Sequence, residues 1–134
     1  MKNNSDLVRG WLKKARSDEL ALDASVGAGA LDAACFHAQQ PAEKHLKAFL
    51  THRVVDFPFV HNLSKLVELC ASLDPSFQSL LPTVEPLTPY AVELRYDHDF
   101  WPSREEAEEA RSLALAVRDF VLRKLPNEIV REFS

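Results

Sequence analysis

Glycine and cysteine are scarce in this sequence, and each scarcity excludes a class of site. Only three glycines occur, at positions 10, 27 and 29, so the chain lacks the glycine-rich loop with which P-loop and dinucleotide-binding folds hold phosphate. Cys35 and Cys70 lie at apolar helical positions without metal-ligand spacing, which predicts reduced core residues. No Gly-x-Ser-x-Gly segment is present, and this argues against a serine nucleophile of the hydrolase type.

Long apolar runs and an excess of positive charge are also missing. No apolar stretch is long enough to span a bilayer, and the opening MKNNSD lacks the apolar core of a signal peptide, so we expect a cytoplasmic protein. Lysine and arginine total 16 against 20 acids, which gives a net charge of -4. Because no general positive field attracts nucleic acid, any contact with RNA must be local.

The apolar content that remains is sufficient for one core. Hydrophobic residues make up 46% of the 134 positions, which is typical of a single folded unit. We therefore expect residues 1–134 to form a single domain.

Residues 31–50, LDAACFHAQQPAEKHLKAFL, predict the central helix of that domain. Their apolar side chains recur at helical spacing and form one core-facing stripe: Leu31, Cys35, Ala38, Ala42, Leu46 and Phe49. A second, polar face follows the same rhythm: His37, Gln40, Lys44 and Lys47. Pro41 removes one backbone donor, so we expect a kink there, with a break between Gln40 and Pro41 as the alternative.

Amphipathic patterns on both sides of this stretch predict further helices. Asn4, Ser5 and Asp6 offer N-cap chemistry before a long first helix. Residues 63–73 predict a short helix that ends at the Asp74-Pro75 turn. A capping box of Ser103 and Glu106 begins the last long helix, which Pro126 closes.

The proline-rich region between these helices predicts less regular structure. Prolines 82, 86 and 89 make residues 75–88 irregular or only briefly helical. Thr88 as N-cap, with Pro89 at the first helical position, predicts a helix to about Tyr96. No strand alternation or repeat is present, so the sequence predicts an all-α, up-and-down bundle of four to five helices.

Several blocks in this order resemble the HEPN family. The blocks are FHAQQPAEKHLKAFL, then HNLSKL, then YAVELRYDHDF, then a serine-capped last helix. The resemblance covers nearly the whole chain and implies a helical bundle that is often a homodimer. It also implies a small nucleotidyltransferase as partner, in a toxin–antitoxin-like pair. Some relatives are ribonucleases, and others resemble nucleotide-binding modules.

The polar face of the central helix is the candidate nucleotide-binding site. His37, Lys44 and Lys47, with Gln40 between them, provide donors for a phosphate or a base, and Tyr96 is added because the resembling block pairs it with Arg95. Ordinary solvation of an exposed face is the alternative. For His61, at the start of the third helix, we expect a hydrogen bond to the central helix instead of a ligand contact. We expect neither a metal nor a cofactor, since His37, His45 and His52 lack the close pairing of metal ligands.

Arg95 and His98 are the candidate catalytic residues of the alternative function, a metal-independent ribonuclease. Histidine would take the proton of a 2′-hydroxyl, and arginine would stabilise the charge that develops on the phosphate. The ribonuclease branch of the family places the two residues farther apart along the chain than the two intervening residues found here. The structural alternative is an ion pair of Arg95 with Asp97 or Asp99. A third possible function is that of a helical dimerisation module. The sequence does not show which face would dimerise, because the aromatic residues could pack on the core or on a second subunit equally well.

Overall fold

The second helix lies at the centre of the fold. The computed structural model describes residues 3–133, and within them it contains helices and no strand. Helix α1 (Asn4–Ala28) runs antiparallel to α2 (Leu31–His52), and α2 also packs against α3 (Leu63–Leu73) and α5 (Arg104–Leu122). The predicted all-α bundle and the central place of residues 31–50 are therefore confirmed.

The turn between α1 and α2 depends on a glycine. Gly29 has φ of 79°, in the left-handed region, and its N–H donates to the carbonyl of Val26. Glycine reaches this conformation without the steric cost that a Cβ adds. At the other end of α1 the N-cap is Asn3, whose side chain accepts from the backbone N–H of Asp6. The cap therefore lies one residue earlier than the predicted Asn4 to Asp6.

Helix α2 passes through Pro41 without interruption from Leu31 to His52. The alternative of two helices that meet at Gln40 and Pro41 is therefore wrong. The apolar stripe explains the continuity, since Cys35, Ala38 and Ala42 are completely buried on both sides of the proline. Burial of the whole face outweighs the one backbone hydrogen bond that the proline removes.

The proline-rich region forms single turns in place of a regular helix. A 3₁₀ helix at Pro75–Leu80 leads into α4 (Leu81–Val84) and a second 3₁₀ helix at Glu85–Tyr90, and turns follow to residue 96. The predicted helix from Thr88 to Tyr96 is therefore wrong. The hydroxyl of Thr88 donates to the carbonyl of Val84, so this residue continues the preceding turn and does not cap a new helix.

The end of the chain agrees with its capping signals and adds one short element. Ser103 accepts from the N–H of Glu106, and the carboxylate of Glu106 accepts from the N–H of Ser103, so the predicted capping box is confirmed. Helix α6 (Asn127–Val130) follows Pro126 and buries Ile129 and Val130. Arg9 of α1 donates to the carbonyl of Glu128, which holds this segment on the bundle.

Both cysteines lie in the core, as their apolar positions predict, and both are free thiols. Burial raises the pKa of Cys35 to about 11 and that of Cys70 to about 12. Of the helices in residues 3–133, none combines the length and the apolar character that a bilayer span requires.

Candidate functional site

The two lysines on the predicted polar face of α2 are bound to acids of the protein itself. Lys44 forms an ion pair with Asp18 of α1, and both side chains are mostly covered. Lys47 is 4% exposed and lies 3.0 Å from a carboxylate oxygen of Glu43, one turn earlier. The expectation of an open polar face along α2 is therefore wrong. α1 and the connection after α2 cover it, and this packing is not visible in the helical rhythm of α2 alone.

Glu43 is the centre of a buried hydrogen-bond network. Its carboxylate accepts from Lys47 at 3.0 Å, from Nδ1 of His61 at 2.9 Å and from the amide of Gln39 at 3.2 Å. Burial alone would raise the pKa of Glu43, but these hydrogen bonds outweigh it and the pKa lies below the usual value. The expected hydrogen bond from His61 to the central helix is confirmed, and Glu43 is its acceptor.

Aromatic rings surround the ammonium group of Lys47. The Nζ atom lies 5.6 Å from the ring centroid of Trp11, 5.8 Å from that of Phe57 and 5.6 Å from that of Phe59. Each ring face is attractive to a cation at this distance. The charge of Lys47 is thus balanced by Glu43 and these rings, and the residue is not available to a phosphate.

His37 and Gln40 remain on a partly accessible part of α2. The ring of His37 meets that of Phe36 edge-on at 5.2 Å, and its Nδ1 is buried without a hydrogen-bond partner in residues 3–133. Gln40 donates to the side-chain oxygen of Gln39 at 2.6 Å. Of the four predicted residues on this face, only these two are free of an ion pair within the described chain.

A second group of predicted residues forms an exposed aromatic surface. The guanidinium of Arg95 lies 4.2 Å from the ring centroid of Phe36 and 5.3 Å from that of Tyr96. Tyr96 is 74% exposed. We call Phe36, Arg95 and Tyr96 the aromatic platform. The expected ion pair of Arg95 with Asp97 or Asp99 is absent from the described residues, because the guanidinium stacks on the rings instead.

His98 lies on the same exposed turn but has little support. Its side chain is 93% exposed, and its Nε2 is 3.8 Å from a carboxylate oxygen of Asp99, which is itself exposed. A general base is usually held by a hydrogen bond that fixes its ring and tautomer. None of the described residues provides such a contact to His98.

His45 is the most deeply buried histidine of α2. Its Nδ1 donates to the carbonyl of Pro41 at 2.7 Å, and its Nε2 lies 3.9 Å from a carboxylate oxygen of Glu19. Burial lowers the pKa of His45 to about 4, so the ring is neutral at pH 7. In residues 3–133, His37, His45 and His52 belong to no group of three or more side chains that is close enough to hold a metal ion.

A comparison with known protein families identifies the family of this chain. The model of the HEPN domain matches residues 8–125, which is most of the chain. The chain belongs to the HEPN family. Among curated protein sequences no significant match is found.

Two solved structures resemble this HEPN domain over nearly their full lengths. The crystal structure of TT1696 from Thermus thermophilus is 31% identical in sequence with a TM-score of 0.75, and the match covers 88% of this chain and 98% of that one. ST0689, described as an archaeal HEPN homologue, is 23% identical with a TM-score of 0.71, over 92% of this chain and 98% of that one. The second match supports the fold alone.

The HEPN domain thus brings together only some of the residues that the sequence singled out. Arg95 and Tyr96 meet at the aromatic platform, whereas Lys44 forms an ion pair with Asp18 and Lys47 forms one with Glu43. The sequence alone did not identify Glu43 as the centre of the hydrogen-bond network or Phe36 as part of the aromatic platform. The spacing of Gln39, Glu43 and Lys47 by four residues was a signal for the network, since such side chains are neighbours on a helix.

Proposed function

We propose that this HEPN domain is the partner of a small nucleotidyltransferase, works as a homodimer, and contacts a nucleotide or single-stranded RNA through its aromatic platform. The partnership and the dimer rest on the family to which the chain belongs. The contact with nucleic acid rests on one observation, the arginine of the platform stacked on Phe36 and Tyr96 at an exposed surface. Aromatic and guanidinium planes are the groups on which proteins stack unpaired bases.

The charges around the platform favour bases over phosphates as the contact. Glu93, Asp97 and Asp99 are exposed neighbours of Arg95 in the chain, and the whole protein carries a net charge of -4. Carboxylates repel phosphate, whereas every base has a neutral face that stacks on an aromatic ring. The platform is therefore suited to single-stranded RNA with accessible bases.

The contact is tested with a fluorescently labelled oligoadenylate RNA and fluorescence anisotropy. We expect binding at micromolar concentrations, and we expect Arg95→Ala to weaken it about tenfold, since stacking contributes roughly 1–3 kcal/mol per base. Arg53→Ala is the matched control, because Arg53 is also an exposed arginine over an aromatic ring, that of Phe49 at 5.8 Å. No binding by the wild type, or equal losses in both variants, would remove the proposal.

The partner and the dimer are tested separately. We expect the tagged protein to retain a nucleotidyltransferase from a lysate of its source organism, identified by mass spectrometry, and to sediment as a dimer. A monomer at all accessible concentrations would contradict the dimer. Incubation of labelled RNA with the protein in chelator separates the binding function from the ribonuclease alternative, which predicts cleavage that is lost in Arg95→Ala and His98→Ala.

A further inference from the structure

The contact of His61 with Glu43 orients its ring but uses only one of the two ring nitrogens. Nδ1 lies 2.9 Å from a carboxylate oxygen of Glu43, and the backbone carbonyl of His61 accepts from the amide of Gln39 at 3.2 Å. A carboxylate only accepts, so Nδ1 carries a proton, and in the neutral form of the ring Nε2 is then an acceptor. Within residues 3–133 that nitrogen has no hydrogen-bond partner, and the side chain is 45% exposed.

A small cavity opens beside His61. Its volume is about 160 Å³, and it lies between the start of α3 and the turns that follow the second 3₁₀ helix. The lining residues are His61, Asn62, Thr88, Ala91, Val92 and Glu93. The imidazole of His61 and the carboxylate of Glu93 both accept hydrogen bonds, and the carboxylate disfavours phosphate. The cavity therefore suits a neutral group that donates hydrogen bonds, such as a sugar hydroxyl.

The cavity and the aromatic platform share one short segment of the chain. Val92 and Glu93 line the cavity, and Arg95 of the platform follows within three residues. On α2, Phe36 of the platform and Glu43, which holds His61, are seven positions apart on one face of the helix, a separation of about 10 Å at 1.5 Å per residue. A single strand of four stacked nucleotides, with three steps of about 3.4 Å between them, spans this distance.

We infer that the cavity is a subsite for the ribose 2′-hydroxyl of an RNA strand whose bases stack on the aromatic platform, and that Nε2 of His61 accepts the hydrogen bond of that hydroxyl. The inference rests on the proposed function, because it needs a strand on the platform. It adds a discrimination that stacking alone does not provide, since DNA has the same bases but no 2′-hydroxyl.

The discrimination is measured with three labelled strands of one sequence: an oligoadenylate RNA, its DNA equivalent and its 2′-O-methyl equivalent. We expect the wild type to prefer RNA over DNA by about 3- to 10-fold, the worth of one net hydrogen bond. The 2′-O-methyl strand, which has lost the donor, should bind like DNA. A parallel titration with AMP and deoxy-AMP distinguishes a mononucleotide from a strand as the source of the hydroxyl.

His61→Asn separates recognition from anchoring. The asparagine amide nitrogen can donate to Glu43 as Nδ1 of His61 does, but the shorter side chain places no acceptor where Nε2 lies. We expect this variant to melt within a few degrees of the wild type and to bind RNA with the affinity of DNA, while its affinity for DNA stays unchanged. His52→Asn, a half-buried histidine on the same helix as Glu43, should keep the full preference for RNA.

The outcomes distinguish the inference from the proposed function. Equal affinity for RNA and DNA in the wild type, or an undiminished preference in His61→Asn, overturns the hydroxyl subsite while binding to the platform stands. A wild type that binds neither strand overturns both. A wild type that binds the 2′-O-methyl strand as tightly as RNA likewise overturns the hydroxyl subsite, because that strand has no hydroxyl donor.

Discussion

At the scale of single residues, the fold hides charges that a helical pattern assigns to solvent. Lys47 is on the polar side of α2, yet it is buried because Glu43 lies one turn away and aromatic rings arrive from α1 and the next connection. The identity of the buried apolar residues was predictable from α2 itself. The burial of Lys47 was not, because it depends on Trp11 of another helix and on Phe57 and Phe59 of a connection that follows no helical rhythm.

His45 carries a pH dependence that belongs to this scale. Its pKa in the folded protein is about 4, against an ordinary value of about 6.5 in an unfolded chain. Because the folded pKa is depressed, the contribution of His45 to stability is complete above pH 6.5 and is lost as the pH falls towards 4. We expect the free energy of unfolding to fall by about 3 kcal/mol over this interval, measured by urea denaturation.

Variants isolate this contribution from those of the acids. His45→Asn keeps a donor for the carbonyl of Pro41 but does not titrate, so its unfolding free energy should depend less steeply on pH between 6.5 and 4. His52→Asn alters a less buried histidine of the same helix and should leave the wild-type pH profile intact. Parallel pH profiles for the wild type and His45→Asn would contradict the assignment.

At the scale of elements, the end of α2 contains a strained residue. Val54 has φ of 56°, and its N–H donates to the carbonyl of Thr51, while the N–H of Val55 donates to that of Leu50. This position after a helix usually holds glycine, because a Cβ in the left-handed region costs about 1–2 kcal/mol. The side chain of Val54 is 79% exposed, so little burial offsets the strain.

Val54→Gly is therefore expected to stabilise the protein. The relief of left-handed strain exceeds the additional entropy that glycine loses on folding, and we expect the free energy of unfolding to rise by about 0.5–1 kcal/mol. Val92→Gly is the control, since Val92 is also exposed but has no positive φ, and it should be neutral or destabilising. Chemical denaturation checks both; a loss of stability in Val54→Gly would show that the turn does not store strain.

The elements themselves differed in how far the sequence determined them. Where a cap and an apolar stripe agree, as in α5 with Ser103 and Glu106, the start of the helix was predictable. Between residues 75 and 96 the prolines limit regular helix but do not determine which turns form. Thr88 and Pro89 have the composition of a helix start, yet they lie in a 3₁₀ helix whose Leu87 is buried in the core.

At the scale of the whole molecule, the negative charge limits how this HEPN domain can bind nucleic acid. A net charge of -4 disfavours close contact with phosphates. Such contacts cause the counterion release that dominates most complexes with nucleic acid. We expect RNA affinity to depend only weakly on salt, with a slope of log affinity against log salt near -0.7 or shallower, as for about one phosphate contact on a single strand. Anisotropy titrations from low to moderate salt measure it.

The same titrations distinguish base stacking from a phosphate-based complex. A slope several times steeper would mean that several cations meet phosphates, which the platform with Arg95 alone cannot supply. Asp97→Asn removes one neighbouring acid without touching the rings, and it should raise affinity at low salt more than at high salt.

The two buried thiols have a practical consequence for such experiments. Cys35 and Cys70 are enclosed and have raised pKa values, so they contribute almost no thiolate, the form that reacts with maleimide dyes. A cysteine introduced at an exposed position of the bundle can therefore carry a dye while both natural ones stay in place. Changes around that position can then be followed by fluorescence in the otherwise unaltered protein.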